Sequence, residues 1–214
     1  MLKFAIVPVT PYEQNCSVLL CEDTGKIAVI DPGGDLPLLR EQIMHLGGTV
    51  ELVLLTHGHM DHASQARVFA DELHVPLVGP HVEDKFWLDL LPDSCARTGF
   101  PHVEPFVPDH WLVQDETVMV GNQTLEVIHC PGHTPGHVVF YHRAQNIAWV
   151  GDVLFEGSIG RTDFPRGDYA TLIDSITRKL FPLGRDVTFV HGHGPLSTFG
   201  HEMDNNPFVA GKYR

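Results

Sequence analysis

Short apolar runs separated by turn residues make up most of this chain, and only a few stretches are spaced for helices. Residues 4–9, 16–21 and 27–30 are apolar or alternating runs divided by Pro11, Asn15 and Gly25, which predicts strands of an antiparallel start. Asp31-Pro32-Gly33-Gly34 breaks the third run. In 36–46 the spacing changes: Leu38, Leu39, Ile43 and Leu46 share one helical face, and Gly47-Gly48 stops the helix. Residues 50–55 read as a buried strand, 61–73 as a helix carrying Ala63, Ala66, Val68, Phe69 and Ala70, and 75–78 as another short strand. The span 82–91, with Phe86 and Trp87, fits a helix better than a strand. From 94 to 109 the expectation is irregular chain, because Pro92, Pro101, Pro105 and Pro108 oppose a long helix.

The second half repeats the order of strands followed by helix. Strands are predicted at 117–120, 124–128, 137–141 and 147–150, with turn signals at Gly121-Asn122 and Gln145-Asn146. A helix at 169–180 and a buried strand at 187–190 follow. No low-complexity tract or linker divides the halves, so they are expected to pack as one αβ/βα sandwich over 1–214.

The polar exceptions to this pattern gather at strand ends. Straight after the run Leu52-Val53-Leu54-Leu55 comes Thr56-His57-Gly58-His59-Met60-Asp61-His62, three imidazoles and a carboxylate delivered onto a loop. Imidazole with carboxylate suits zinc, iron or manganese better than calcium, whose ligands are all oxygen. Ten of the 15 histidines fall in three clusters: His57, His59 and His62; His129, His133, His137 and His142; His191, His193 and His201. Each cluster sits at or beside a predicted strand end, which points to ligands converging on a metal from several elements. In Cys130-Pro131-Gly132-His133-Thr134-Pro135-Gly136-His137 the candidate ligand is His133, while His137 opens the next strand and is expected to support the site. Asp152 directly follows a buried strand, where an unpaired charge is costly and a metal would neutralise it; the alternative is a turn cap. Between His191 and His193, glycine on both sides favours His193.

Composition narrows the partners. With 27 acidic against 14 basic residues the formal charge is −13, and no basic stripe offsets it, which argues against nucleic acid. The four cysteines form no C-x-x-C pair and read as free thiols of a reducing compartment. The sequence shows no signal-peptide pattern and no apolar run of membrane-spanning length, so the expected location is the cytoplasm, with no membrane partner.

The motifs T-H-x-H-x-D-H, P-G-H-T-x-G-H, a strand-ending G-D and a final G-H-G, in this order, resemble the metallo-β-lactamase superfamily across nearly the whole chain. Gly160-Arg161-Thr162-Asp163-Phe164, after the G-D motif, looks like the glyoxalase II group and its persulfide dioxygenase relatives. The resemblance implies an α/β fold, a four-layer sandwich of two mixed sheets flanked by helices. It further implies two divalent metals, zinc as the first expectation with iron and manganese as alternatives. His57, His59 and His133 would hold one, and Asp61, His62 and His193 the other, with Asp152 bridging. Asp31 matches the superfamily's early aspartate and would orient a ligand histidine; the alternative is a turn-forming residue in Asp-Pro-Gly-Gly. Aspartate rather than cysteine at 152 argues against the common zinc β-lactamases.

The activity implied is hydrolysis of S-D-lactoylglutathione or a related acylglutathione by a metal-bound hydroxide that Asp61 orients. The alternative is a persulfide dioxygenase with one non-haem iron on His57, His133 and Asp152, and a scaffold domain with a structural metal is the non-enzymatic reading. Glyoxalase II enzymes of the longer type carry a helical C-terminal domain that helps to hold glutathione, but 21 residues follow His193 here, so recognition is expected from elsewhere. Arg161 is the candidate cation for a substrate carboxylate, with Arg166, Lys212 and Arg214 as alternatives, unless Arg161 is tied up in a salt bridge to Asp163 or Asp168.

Overall fold

A computed structural model of the chain describes residues 1–212; Arg214 lies outside them. The first sheet comprises β1 (Leu2–Val9), β2 (Gln14–Cys21), β3 (Lys26–Ile30), β4 (Thr49–Leu54) and β5 (Leu77–Val78), in that order across the sheet. β1, β2 and β3 pair antiparallel, whereas β3, β4 and β5 run parallel. The second sheet uses β6 (Thr117–Val120), β7 (Gln123–His129), β8 (Val138–His142) and β9 (Ile147–Gly151). After the small hairpin β10 (Leu154–Phe155) and β11 (Ser158–Ile159), it gains β12 (Thr188–His191) and β13 (Ser197–Thr198). Its order is β13-β12-β9-β8-β7-β6, antiparallel except for β9 beside β12.

Strand alternation divides the core into three layers of contact. Val18, Leu20, Val29, Val53 and Leu55 face outward from the first sheet. They pack against α1 (Leu36–Leu46), α3 (Ala66–Leu73) and α5 (Leu91–Thr98) through Leu39, Phe69 and Leu91. Their strand neighbours Leu19, Ala28, Ile30, Leu52 and Leu54 face inward and meet Val127, Val138, Phe140, Trp149 and Val190 of the second sheet. On that sheet's far side Val139, Tyr141, Val150 and Phe189 pack on α6 (Tyr169–Asp174), its π-helical continuation at Ser175–Leu180, and α7 (Phe199–Asn205). Two mixed sheets flanked by helices give the expected sandwich.

Several local expectations are corrected. The helix expected at 61–73 is two, α2 (Met60–Ala63) and α3, parted at Gln65, whose backbone leaves helical geometry at φ −106° and ψ 2°, next to Ser64, which donates its hydroxyl to the Gly33 carbonyl at 2.6 Å. The strand at 75–78 shrinks to β5. The span 82–91 holds a 3-10 turn at Val82–Asp84 and α4 (Lys85–Asp89). The region from 94 begins as helix, since Pro92 sits in the first turn of α5, where a missing N–H costs nothing. β10, β11, β13 and α7 were not expected. Thr198 caps α7 by accepting the His201 N–H at 3.1 Å.

Candidate metal centre

The site lies where loops leave β4, β7, β9 and β12, at the edge shared by the two sheets. His57 and His59 stand on the loop after β4, Asp61 and His62 open α2, His133 follows β7, Asp152 follows β9 and His193 follows β12. The structure brings these seven side chains together, six of them in two groups with Asp152 between. One nitrogen each of His57, His59 and His133 come within 4.8 Å of one another, and so do donor atoms of Asp61, His62 and His193.

Hydrogen bonds on the far side of each ring fix its tautomer. The Thr56 hydroxyl donates to Asp31 Oδ2 at 2.6 Å, so at 3.0 Å it accepts from His57 Nδ1 and leaves His57 Nε2 bare. His133 Nδ1 faces the Arg161 carbonyl at 2.7 Å and must donate to it, leaving its Nε2 bare as well. These two lone pairs point at His59 Nδ1 from 3.1 and 2.9 Å. A single proton cannot satisfy three such nitrogens, whereas a divalent cation would. In the second group His62 Nδ1 donates to Asp31 Oδ2 at 2.8 Å and His193 Nδ1 to the Tyr12 carbonyl at 3.1 Å. Their Nε2 atoms thereby turn toward Asp61 and Asp152.

Asp152 lies between the groups. Its carboxylate is 3.3 Å from His62 Nε2 and 3.6 Å from both His133 Nε2 and His193 Nε2. The contact with His62 lacks hydrogen-bond alignment, and both atoms are buried without a hydrogen-bond partner, as metal donors would be. Burial alone would raise the Asp152 pKa, but the charges of His62, His133 and His193 outweigh it and hold the group ionised. Burial pushes His57, His59 and His133 below the ordinary imidazole range. It acts on His62 and His193 in the same direction, yet the surrounding carboxylates prevail and raise both.

Supporting residues explain the geometry. Asp31 sits in the left-handed region at φ 55° and accepts from the Thr56 N–H, the Thr56 hydroxyl and His62, so it both forms the turn and orients a ring. Gly33 leaves room for the Asp61 carbonyl, which a Cβ there would meet at 1.6 Å. Gly192 does the same for Asp152, whose Oδ1 would lie 2.0 Å from an added Cβ. His137 touches the site from behind: its Nε2 accepts the Asp152 N–H at 3.0 Å and its ring stacks on His57.

Sequence reasoning missed Asp84, Asn15 and the carbonyl of Arg161. Fully buried, Asp84 accepts from the N–H of Gly58, the hydroxyl of Thr134 and the N–H of Gly136, tying the His57–His59 loop to the His133 loop. Burial drives its pKa up to about 6 against those bonds. In sequence it is one of two acids at a helix start, an ordinary surface pattern. Asn15 donates its side-chain amide to the carbonyls of His191 and Gly194, steadying the His193 loop. Asp84→Asn sets an amide against one of three donors; about 1–3 kcal/mol of stability should go, with weaker metal retention, by thermal unfolding and metal analysis. An unchanged melting curve would mean the loops are held without it.

Residues 9–193 match the model of the metallo-β-lactamase superfamily. The chain belongs to this superfamily. Across 212 residues it is 43% identical to the hydroxyacylglutathione hydrolase GloC of Haemophilus influenzae, covering 99% of this chain and 100% of that one. Among superfamily structures it is similar to the B3 metallo-β-lactamase BLEG-1, at 37% identity and TM-score 0.89, over 98% of this chain and 100% of the other. It is also similar to TTHA1623 in a di-iron-bound form, at 30% identity and TM-score 0.86, over 96% and 100%. The His and Asp clusters are thus a divalent-metal site of a metallo-hydrolase.

A cleft of about 940 Å³ opens onto both clusters, walled by Trp87, Leu90, Phe155, Ile159 and Phe164. Trp87 and Phe164 meet the His59 ring edge to face. Arg161 reaches this cleft, but its guanidinium forks onto Asp163 at 2.9 and 2.7 Å and lies over Phe164. That is the salt bridge the sequence left open. Arg166 lies over Phe86, and Lys212 donates to the Tyr169 hydroxyl.

Proposed function

We propose that this chain is a metal-dependent thioester hydrolase that cleaves S-D-lactoylglutathione or a related acylglutathione. The observation that carries the reading is the pair of ligand clusters sharing Asp152 at the floor of an apolar cleft; the full-length likeness to GloC supports it. His57, His59 and His133 would hold one ion and Asp61, His62 and His193 the second, with zinc, iron and manganese all suited to these donors. Ions held there would supply a water of lowered pKa and a Lewis acid for the substrate carbonyl. Asp61, with Oδ2 3.1 Å from His193 Nε2, orients that water and takes part in moving its proton. Trp87, Leu90 and Phe164 exclude bulk solvent from the reacting carbonyl. The leaving thiol, of pKa about 8.5, departs as thiolate, so no general acid is required.

The test is elemental analysis of purified protein alongside turnover of S-D-lactoylglutathione, a penicillin, and a persulfide with and without oxygen. Two metals per chain and oxygen-independent thioester cleavage are expected. One iron with oxygen consumption would favour the dioxygenase, and turnover of the penicillin alone would favour a lactamase.

Acid should empty the two clusters unequally. Histidines held below their ordinary pKa are already neutral and take a metal without losing a proton, whereas His62 and His193, held above it, must release one. Protons therefore compete for the second cluster first. As pH falls, bound metal should drop from two ions toward one per chain before the last is lost, measured by dialysis and elemental analysis. Simultaneous loss of both would contradict this order.

A further inference from the structure

The cleft carries a charged pair that the reaction does not use. Asp93 and Arg97 lie four residues apart on α5, hence on one face, and both line the cleft with His59, Asp61, His133 and Asp152. Elsewhere in the chain, opposite charges at this spacing close on each other, as in Arg67 with Asp71, Lys85 with Asp89 and Arg178 with Asp174. Among the described residues Asp93 and Arg97 have no ion pair or side-chain hydrogen bond, with each other or with any neighbour. Arg161, the other arginine lining the cleft, is already forked onto Asp163. An anionic substrate approaching a chain of net charge −13 meets one uncommitted guanidinium in this cleft, with a carboxylate one turn away.

We propose that Asp93 and Arg97 together bind the zwitterionic α-amino-acid end of the substrate's thiol half, Arg97 taking its carboxylate and Asp93 its ammonium. This rests on the thioester-hydrolase reading and narrows it. The preferred substrate is an acylated thiol whose far end carries both charges, as the γ-glutamyl end of glutathione does. A guanidinium fork fits a carboxylate in two parallel bonds, while a lone carboxylate suits a point charge such as ammonium. Trp87, Leu90, Phe155 and Ile159, which line the same cleft, give the uncharged middle of such a molecule apolar contact. Two opposite charges at one subsite also discriminate against thiols ending in phosphate or in a single carboxylate, each of which leaves one member of the pair unanswered.

The experiment measures kcat and KM of the metal-loaded protein, its Arg97→Ala and Asp93→Asn variants, and Arg97→Lys. The substrates are S-D-lactoylglutathione, the same thioester with its amino group acetylated, and a lactoyl thioester of the uncharged thiol N-acetylcysteamine. Arg97→Ala should raise KM for the glutathione thioester about tenfold or more, with Arg97→Lys recovering part of the loss. Asp93→Asn should raise KM for the free-amino thioester and lose this effect on the acetylated one. Equal losses on the uncharged thioester, or an unchanged KM in both variants, would overturn the proposal. Calorimetric binding of glutathione itself keeps the two readings apart. If no thioester is turned over, the hydrolase reading fails, while glutathione binding that weakens in Arg97→Ala still supports the subsite and binding that does not overturns it.

Discussion

Replacing Asp152 with alanine is expected to lower thioester hydrolysis by roughly 10³-fold or more, equivalent to about 4 kcal/mol of transition-state stabilisation, and to strip metal from both clusters. This carboxylate lies within 3.6 Å of ligand nitrogens in both sets, and with Asp61 and Asp31 it raises the pKa of His62. His59→Ala and His133→Ala should follow it in activity while unloading the first cluster preferentially. Folding should survive in each case, because the three apolar layers lie away from the site, and circular dichroism will check this. His102, exposed and paired with Glu104, supplies the control: His102→Ala should retain both activity and metal. Full activity with normal metal in the Asp152 variant would remove it from the centre.

The second large effect separates binding from chemistry at Asp61. Asparagine keeps the shape and one oxygen donor while removing the charge that steers the attacking water, so Asp61→Asn should cut kcat by about a hundredfold and leave KM within about twofold. Metal content should fall far less than in the Asp152 variant. A change confined to KM would show that Asp61 contributes uniform binding and takes no part in moving the proton.

What could be read from the sequence was what periodicity and residue type encode. β4 and its histidine loop stand out because a buried strand has no use for imidazole and carboxylate at its end unless they are paired. The same reasoning placed His133, Asp152 and His193 beside strand ends. Local rules failed where tertiary contacts decide. Nothing in 61–73 announces that the helix will break at Gln65. Pro92 was weighed as a helix breaker, when at a first turn it is a helix starter. Arg161 was singled out for its charge, yet its backbone carbonyl, which every residue possesses, is what holds His133. The Asp84 clamp and the open Asp93–Arg97 pair depend on which neighbours arrive, and a one-dimensional pattern does not record that.

The division of the site between the chain's halves has a consequence for folding. The first half brings His57, His59, Asp61 and His62; the second brings His133, Asp152 and His193. Backbone bonds from Val138 to Thr56 and from Asn15 to Gly192 stitch the halves together beside them. Neither half can form the centre alone, because each brings part of both ligand clusters or the carboxylate between them. Metal therefore acts as a rivet driven after the plates are aligned. By mass action an ion at a thousand times its dissociation constant adds about 4 kcal/mol to the folded state, so metal supply adds to a stability that the apolar layers already provide.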